Sequence, residues 1–216
     1  MKLLWRILAG LILAAALGGV AFIPFVYPST SLWYKFGTQK ALLQVGKVAG
    51  LWAATLLLAQ LLLSARLAIM ESIFSPKILL KVHKVNGGLV AALAAVHPVL
   101  VLASENFTFM TLEKKNWPAG VGALLLLSVL FTVVTATWRA GLGLSYPRWR
   151  FLHRVGALLL PVIFAFHVLN VSDTYRAGIP RLTVVVALSL YGLLWIWVQV
   201  RRLAAKRIKK TQGGAS

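Results

Sequence analysis

The residues of this chain with the most chemistry to offer are its four histidines, and they form two matched pairs. Val82-His83-Lys84-Val85 and Leu152-His153-Arg154-Val155 echo one another. Each begins an H-x13-H repeat that ends at His97 and His167 respectively. On an α-helix this spacing is about 3.9 turns and about 21 Å of rise, so each pair lies on nearly one face at two depths. Two neutral imidazoles approaching from opposite sides are what a six-coordinate haem iron accepts, and helical bundles build such sites from facing helices. A lone histidine in an apolar helix can instead bond to a neighbouring helix or stay solvated at an interface. Agreement of spacing, face and direction over all four favours ligation, with His83 paired to His153 and His97 to His167. With no cysteine, the chain offers neither thiolate ligands nor C-x-x-C-H attachment, so any haem is held non-covalently.

Other residues are placed to help. Gly87 and Gly88 follow His83, and Gly156 follows His153, where a flat macrocycle needs a close approach to the backbone. Lys81, Lys84, Arg150 and Arg154 are candidate partners for propionates at one level, and Asn170, Tyr175 and Arg176 at the other. Phe164 and Phe166 fall between the levels and are read as packing. Trp5, Trp33, Trp117, Trp138, Trp149, Trp195 and Trp197 are read as interfacial anchors.

The elements that carry these residues follow from composition. The chain has 60% apolar and 12% charged residues and a mean hydropathy of +0.84, which requires lipid as solvent. Six apolar stretches, near residues 3–26, 48–70, 83–103, 118–138, 151–171 and 182–200, are each about long enough to span a hydrocarbon core. The expected fold is an all-α integral membrane bundle of about six helices, one domain over residues 1–216, with a basic tail at 201–216. The first stretch is read as a retained helix; a cleaved signal peptide is the competing reading. Helices three and five run in the same direction, which brings the histidine pairs face to face.

The net charge of +19 does not point to nucleic acid in so apolar a chain. Taking the N-terminus as inside, most cations fall in inner segments, from Lys2, Arg6 and Arg66 through Lys77 and Arg148 to Arg201–Lys210. Fewer fall outside, including Lys35, Lys40, Lys47, Lys114, Lys115, Arg176 and Arg181. Both termini are therefore expected on the cytoplasmic side of a cytoplasmic membrane. Glu71 falls inside, and Glu105, Glu113 and Asp173 outside. None is at midplane depth, where a cation transporter keeps carboxylates, and a zinc site wants three or four ligands at one depth rather than two.

The two H-x13-H pairs, together with the run Leu144-Ser145-Tyr146-Pro147-Arg148-Trp149-Arg150-Phe151-Leu152-His153, resemble the ferric reductase-like transmembrane domain shared by ferric reductases and NADPH oxidases. The run matches that family's L-x-Y-x-x-W-x-x-x-H pattern, and the likeness covers roughly residues 45–200. It implies two b-type haems that carry electrons from a cytoplasmic flavin donor to an extracytoplasmic acceptor. Gly141 and Gly143 lack G-x-G-x-x-G spacing, and only the basic tail follows helix six, so flavin is expected through a partner or a further domain. In this the chain is similar to the haem-binding membrane subunit of bacterial periplasmic methionine sulfoxide reductase systems, which passes electrons to a separate periplasmic partner. The expected donor is a cytoplasmic flavoprotein or a quinol. A haem-free transporter or structural membrane protein is the alternative from another class.

Overall fold

The computed structural model describes residues 2–65, 67–107 and 116–213, with the side chains of Lys2, Arg202 and residues 205–213 not among those described. Arg66, Glu113, Lys114 and Lys115, and the tail side chains of Arg202, Lys206, Arg207, Lys209 and Lys210, thus lie outside the described set. The described chain is all-helical: α1 (Lys2–Val26), α2 (Gly37–Ser64), a short α3 (Ala68–Ile73), α4 (Pro76–Ala103), α5 (Trp117–Thr137), α6 (Tyr146–Val171) and α7 (Gly178–Gly213). All of these except α3 contain a stretch long and apolar enough to cross a membrane. The protein is a multi-pass membrane protein.

Helices α2, α4, α6 and α7 are longer than their apolar stretches, because a helix starts at its cap and not at the edge of the lipid. Ser75 caps α4 by accepting the Ile78 N–H at 3.4 Å, and Pro76 follows in the first turn. Helix α4 thus begins well before His83 and carries Lys77 and Lys81 in its early turns. Ser145 stands at the N-cap of α6 without a side-chain cap bond, and Pro147 follows in its first turn, ahead of His153. The second span runs over Gly37–Ser64 rather than 48–70. Its early turns hold Lys40 and Lys47, which an apolar window discards, and Leu67 turns extended before α3.

Helix α2 packs antiparallel along α4, and α5 antiparallel along α6. Helices α4 and α6 run parallel, stand further apart, and project their histidines into the space between them. Midway between the two histidine levels, Leu56, Val90, Val129 and Leu160 form a buried apolar layer with one residue from each of the four helices. Helix α1 leans on α2 and α3: the Trp52 indole donates to Leu17 O at 2.9 Å and Arg6 Nε to Ile73 O at 3.2 Å. Pro161 removes the N–H that would bond to Ala157 O. The Tyr191 hydroxyl of α7 donates to that carbonyl at 2.5 Å, so the break is satisfied inside the bundle.

Candidate functional site: two histidine levels between α4 and α6

The structure brings the four histidines together in the expected pairs. The rings of His83 and His153 have centroids 6.0 Å apart, and those of His97 and His167 6.3 Å apart. A metal–imidazole bond is about 2.0–2.1 Å, so two rings sharing one iron from opposite sides hold their centroids about 6 Å apart. That spacing also suits an edge-on ring pair. What separates the two readings is where the ring protons point.

His97 Nδ1 lies 2.8 Å from Gly46 O on α2, and His167 Nδ1 lies 2.9 Å from Pro118 O on α5. A carbonyl oxygen only accepts, so each Nδ1 carries the proton and each Nε2 keeps its lone pair. Metal-ligating histidines are oriented in this way, the second ring nitrogen donating to a carbonyl behind it. The approach depends on glycine. A Cβ at Gly50, four residues after Gly46, would meet His97 Nδ1 at 2.8 Å; a Cβ at Gly122, four residues after Pro118, would meet His167 Cε1 at 2.5 Å. Each imidazole lies over the bare backbone one turn beyond the carbonyl it bonds.

Side chains contribute more to the surroundings of the His83–His153 level. Gln60 Nε2 donates to the His83 carbonyl at 3.1 Å, over Gly87, where a Cβ would come within 3.0 Å of that nitrogen. Asn86, also buried, donates to Leu56 O at 2.9 Å. The Trp149 ring sits beside His153 with centroids 5.4 Å apart, and Tyr146 flanks Trp149 at 5.6 Å. Trp149 is thus not merely an interfacial anchor. It lies one turn before His153, a spacing present in the W-x-x-x-H sequence that stacks the two side chains. The Nδ1 atoms of His83 and His153 are buried without a hydrogen-bond partner among the described residues.

The remaining predicted residues divide. Lys81, Lys84, Arg150 and Arg154 are exposed at the His83–His153 end, with the Arg150 guanidinium 5.9 Å from the Tyr146 ring centroid. Gly156 accommodates Thr132 of α5, 3.2 Å from where a Cβ would stand, while Gly88 faces open space. At the other end Asn170 is turned to its own helix, donating to Phe166 O at 2.8 Å, and Arg176 is exposed. Tyr175 is buried, and burial pushes its phenol up to about 12. Phe164 packs in the cluster around Val168, Tyr175 and Val184, whereas Phe166 is exposed.

The histidines come two to a level, and among the described residues no three of His, Asp and Glu converge as a protein-only metal site needs. Two opposed imidazoles with outward-bonded Nδ1 protons fit a haem. The sequence pattern of the ferric reductase like transmembrane component matches residues 49–164, more than half of the chain. The chain belongs to this family. No curated protein and no solved structure is a match. The matched segment of this ferric reductase-like chain contains Gly50, His83, His97, Gly122 and His153, and ends just before His167. Membership implies an oxidoreductase-type role, with electron transfer across a membrane as the family's role, and domains of this family are generally haem-binding.

The residues that sequence reasoning missed are Gly46, Gly50, Pro118 and Gly122. The available signal was the G-x-x-x-G spacing of Gly46 and Gly50, together with a proline followed by a glycine four residues on. Nothing local linked them to histidines on other helices.

Proposed function

We propose that this chain conducts electrons across the cytoplasmic membrane through two b-type haems, one held by His83 and His153 and the other by His97 and His167. The direction is from a cytoplasmic flavin donor to an extracytoplasmic acceptor. The observation that supports the reading is the pair of Nδ1–carbonyl bonds behind His97 and His167, which leave each Nε2 its lone pair on two rings whose centroids are 6.3 Å apart. Haem held by His83 and His153 and by His97 and His167 would supply a one-electron store at each level. With every histidine engaged as a ligand, the acceptor would be a one-electron oxidant such as a ferric chelate, a redox protein or a quinone.

The chain's own contribution is to orient the imidazoles, exclude water between the levels and present charge at the ends. The layer of Leu56, Val90, Val129 and Leu160 keeps the middle of the bundle dry. Lys77, Lys81, Lys84, Arg148, Arg150 and Arg154 give the His83–His153 end an exposed basic face. It is the end suited to an acidic cytoplasmic flavoprotein and to propionates. Protein purified from cells supplied with haem should contain about two haems per chain and show the sharp reduced bands of low-spin iron. A folded, colourless product would overturn the proposal.

A further inference from the structure

His153 and His167 share one helix but are steadied differently. The His167 ring is bonded through Nδ1 to the Pro118 carbonyl. The Nδ1 of His153 is buried without a hydrogen-bond partner among the described residues. An indole stands against its ring instead. The Trp149 and His153 rings have centroids 5.4 Å apart and planes tilted by 33°, nearer than the His83 ring at 6.0 Å. That is stacking distance, and the four-residue step along α6 puts both side chains on one face. The indole is itself confined. Tyr146 lies beside it at 5.6 Å, and the guanidinium groups of Arg139 and Arg150 stand 6.0 and 5.9 Å from the Tyr146 centroid. Trp149 Nε1 is buried without a partner among the described residues, so ring contact and not a hydrogen bond is what it offers the histidine.

We infer that Trp149 is the positioning residue of the His153 ligand, limiting by stacking the ring rotation that the Pro118 carbonyl stops at His167. The inference rests on the haem reading above. An imidazole that ligates through Nε2 keeps one freedom, rotation about the metal–nitrogen bond, and its neighbours decide how much of it remains. Trp149 is not a ligand. It acts on the angle between the His83 and His153 planes, which is 65°. Each imidazole π orbital overlaps the iron d orbital lying across its plane, so this angle sets the anisotropy of low-spin ferric iron.

The test is electron paramagnetic resonance of full-length, haem-loaded, oxidised protein, comparing wild type with Trp149→Leu and Trp149→Phe. The signal of the inner haem is identified as the one that His153→Ala removes. Trp149→Leu should shift and broaden that signal and leave the other in place. Its haem should also leave roughly two- to tenfold faster on detergent dilution, the factor expected for losing one aromatic pair. Trp149→Phe keeps a flat ring and drops the indole N–H, and should return the signal close to its wild-type position. Trp149→Met replaces Trp149→Leu if the latter does not assemble. Two haems in wild type with an unmoved inner signal in the aliphatic variants would overturn the role of Trp149 alone. So would an equal shift of both signals, or a Trp149→Phe signal displaced as far as that of Trp149→Leu. A wild-type protein without haem would overturn the haem reading itself.

Discussion

At the His97–His167 level both imidazoles reach back to a carbonyl on a flanking helix, whereas at the His83–His153 level the neighbours are side chains: Gln60, Thr132 and Trp149. The spacing along α4 and α6 is identical at the two levels, so the difference comes from α2 and α5. A backbone carbonyl in a helix cannot rotate, and a glycine one turn on lets the ring settle against it. A glutamine, threonine or tryptophan can be exchanged or turned. Both rings of one level are therefore bonded to main chain, and the other level adds exchangeable side chains around its rings. Carbonyl-bonded imidazoles are also the more basic donors, which would hold a haem bound between them at the lower potential.

Removing ligands is the bluntest way to break this comparison. His97→Ala or His167→Ala should lose the lower-potential haem and keep the other, and His83→Ala or His153→Ala the reverse, read as a drop to about one haem per chain with one midpoint remaining. Loss of both haems from every variant would show that the levels are not independent.

A finer cut leaves the histidines in place and attacks the glycines. Gly122→Ala sets a Cβ 2.5 Å from His167 Cε1 and Gly50→Ala one 2.8 Å from His97 Nδ1, so each must push its ring off its carbonyl. We expect selective weakening of the His97–His167 haem, and overpacking that costs about 1–3 kcal/mol in stability. Gly88→Ala, at a position with open space around it, should leave that level untouched. Haem stoichiometry after detergent dilution distinguishes the variants, and an equal loss in Gly88→Ala would count against the proposed fit.

The two ends of the bundle should respond differently to salt. Charge reversal at Arg148 and Arg150, exposed on the basic end, should slow reduction by an acidic flavoprotein about tenfold at low ionic strength and less at high. Stopped-flow rates that ignore both salt and charge reversal, or fast reduction by a membrane quinol alone, would remove the flavoprotein donor.

The smallest effect is expected from pH at the opposite end. There Asp173 accepts the Thr30 N–H at 2.9 Å and so ties the α1–α2 connection to the α6–α7 connection. Burial pushes its carboxyl up, but hydrogen bonds from Thr30, and from its own and the Thr174 N–H, outweigh this and hold it below the ordinary 3.8. A carboxyl depressed in the folded protein contributes stability that is present above its unfolded pKa and lost as pH falls through the folded one. Protection of residues 28–33 from hydrogen exchange should thus hold from neutral pH down to about 4 and fall only below that. Asp173→Asn should flatten the dependence.

The sequence by itself determined that this chain lives in a membrane, that six of its helices can cross, and that its histidines repeat at H-x13-H on helices running the same way. All of these depend on local periodicity and composition, which need no knowledge of neighbours. It also placed Trp149 four residues before His153, although not its role. The tertiary structure decided what stands behind each imidazole. Gly46 and Gly50, Pro118 and Gly122, and Gln60 are far in sequence from the histidines they touch, and only the register of α2 against α4 and of α5 against α6 brings them there. That register is set by close packing of whole helix faces, with the Leu56–Val90–Val129–Leu160 layer at its centre, and no single segment of sequence encodes it.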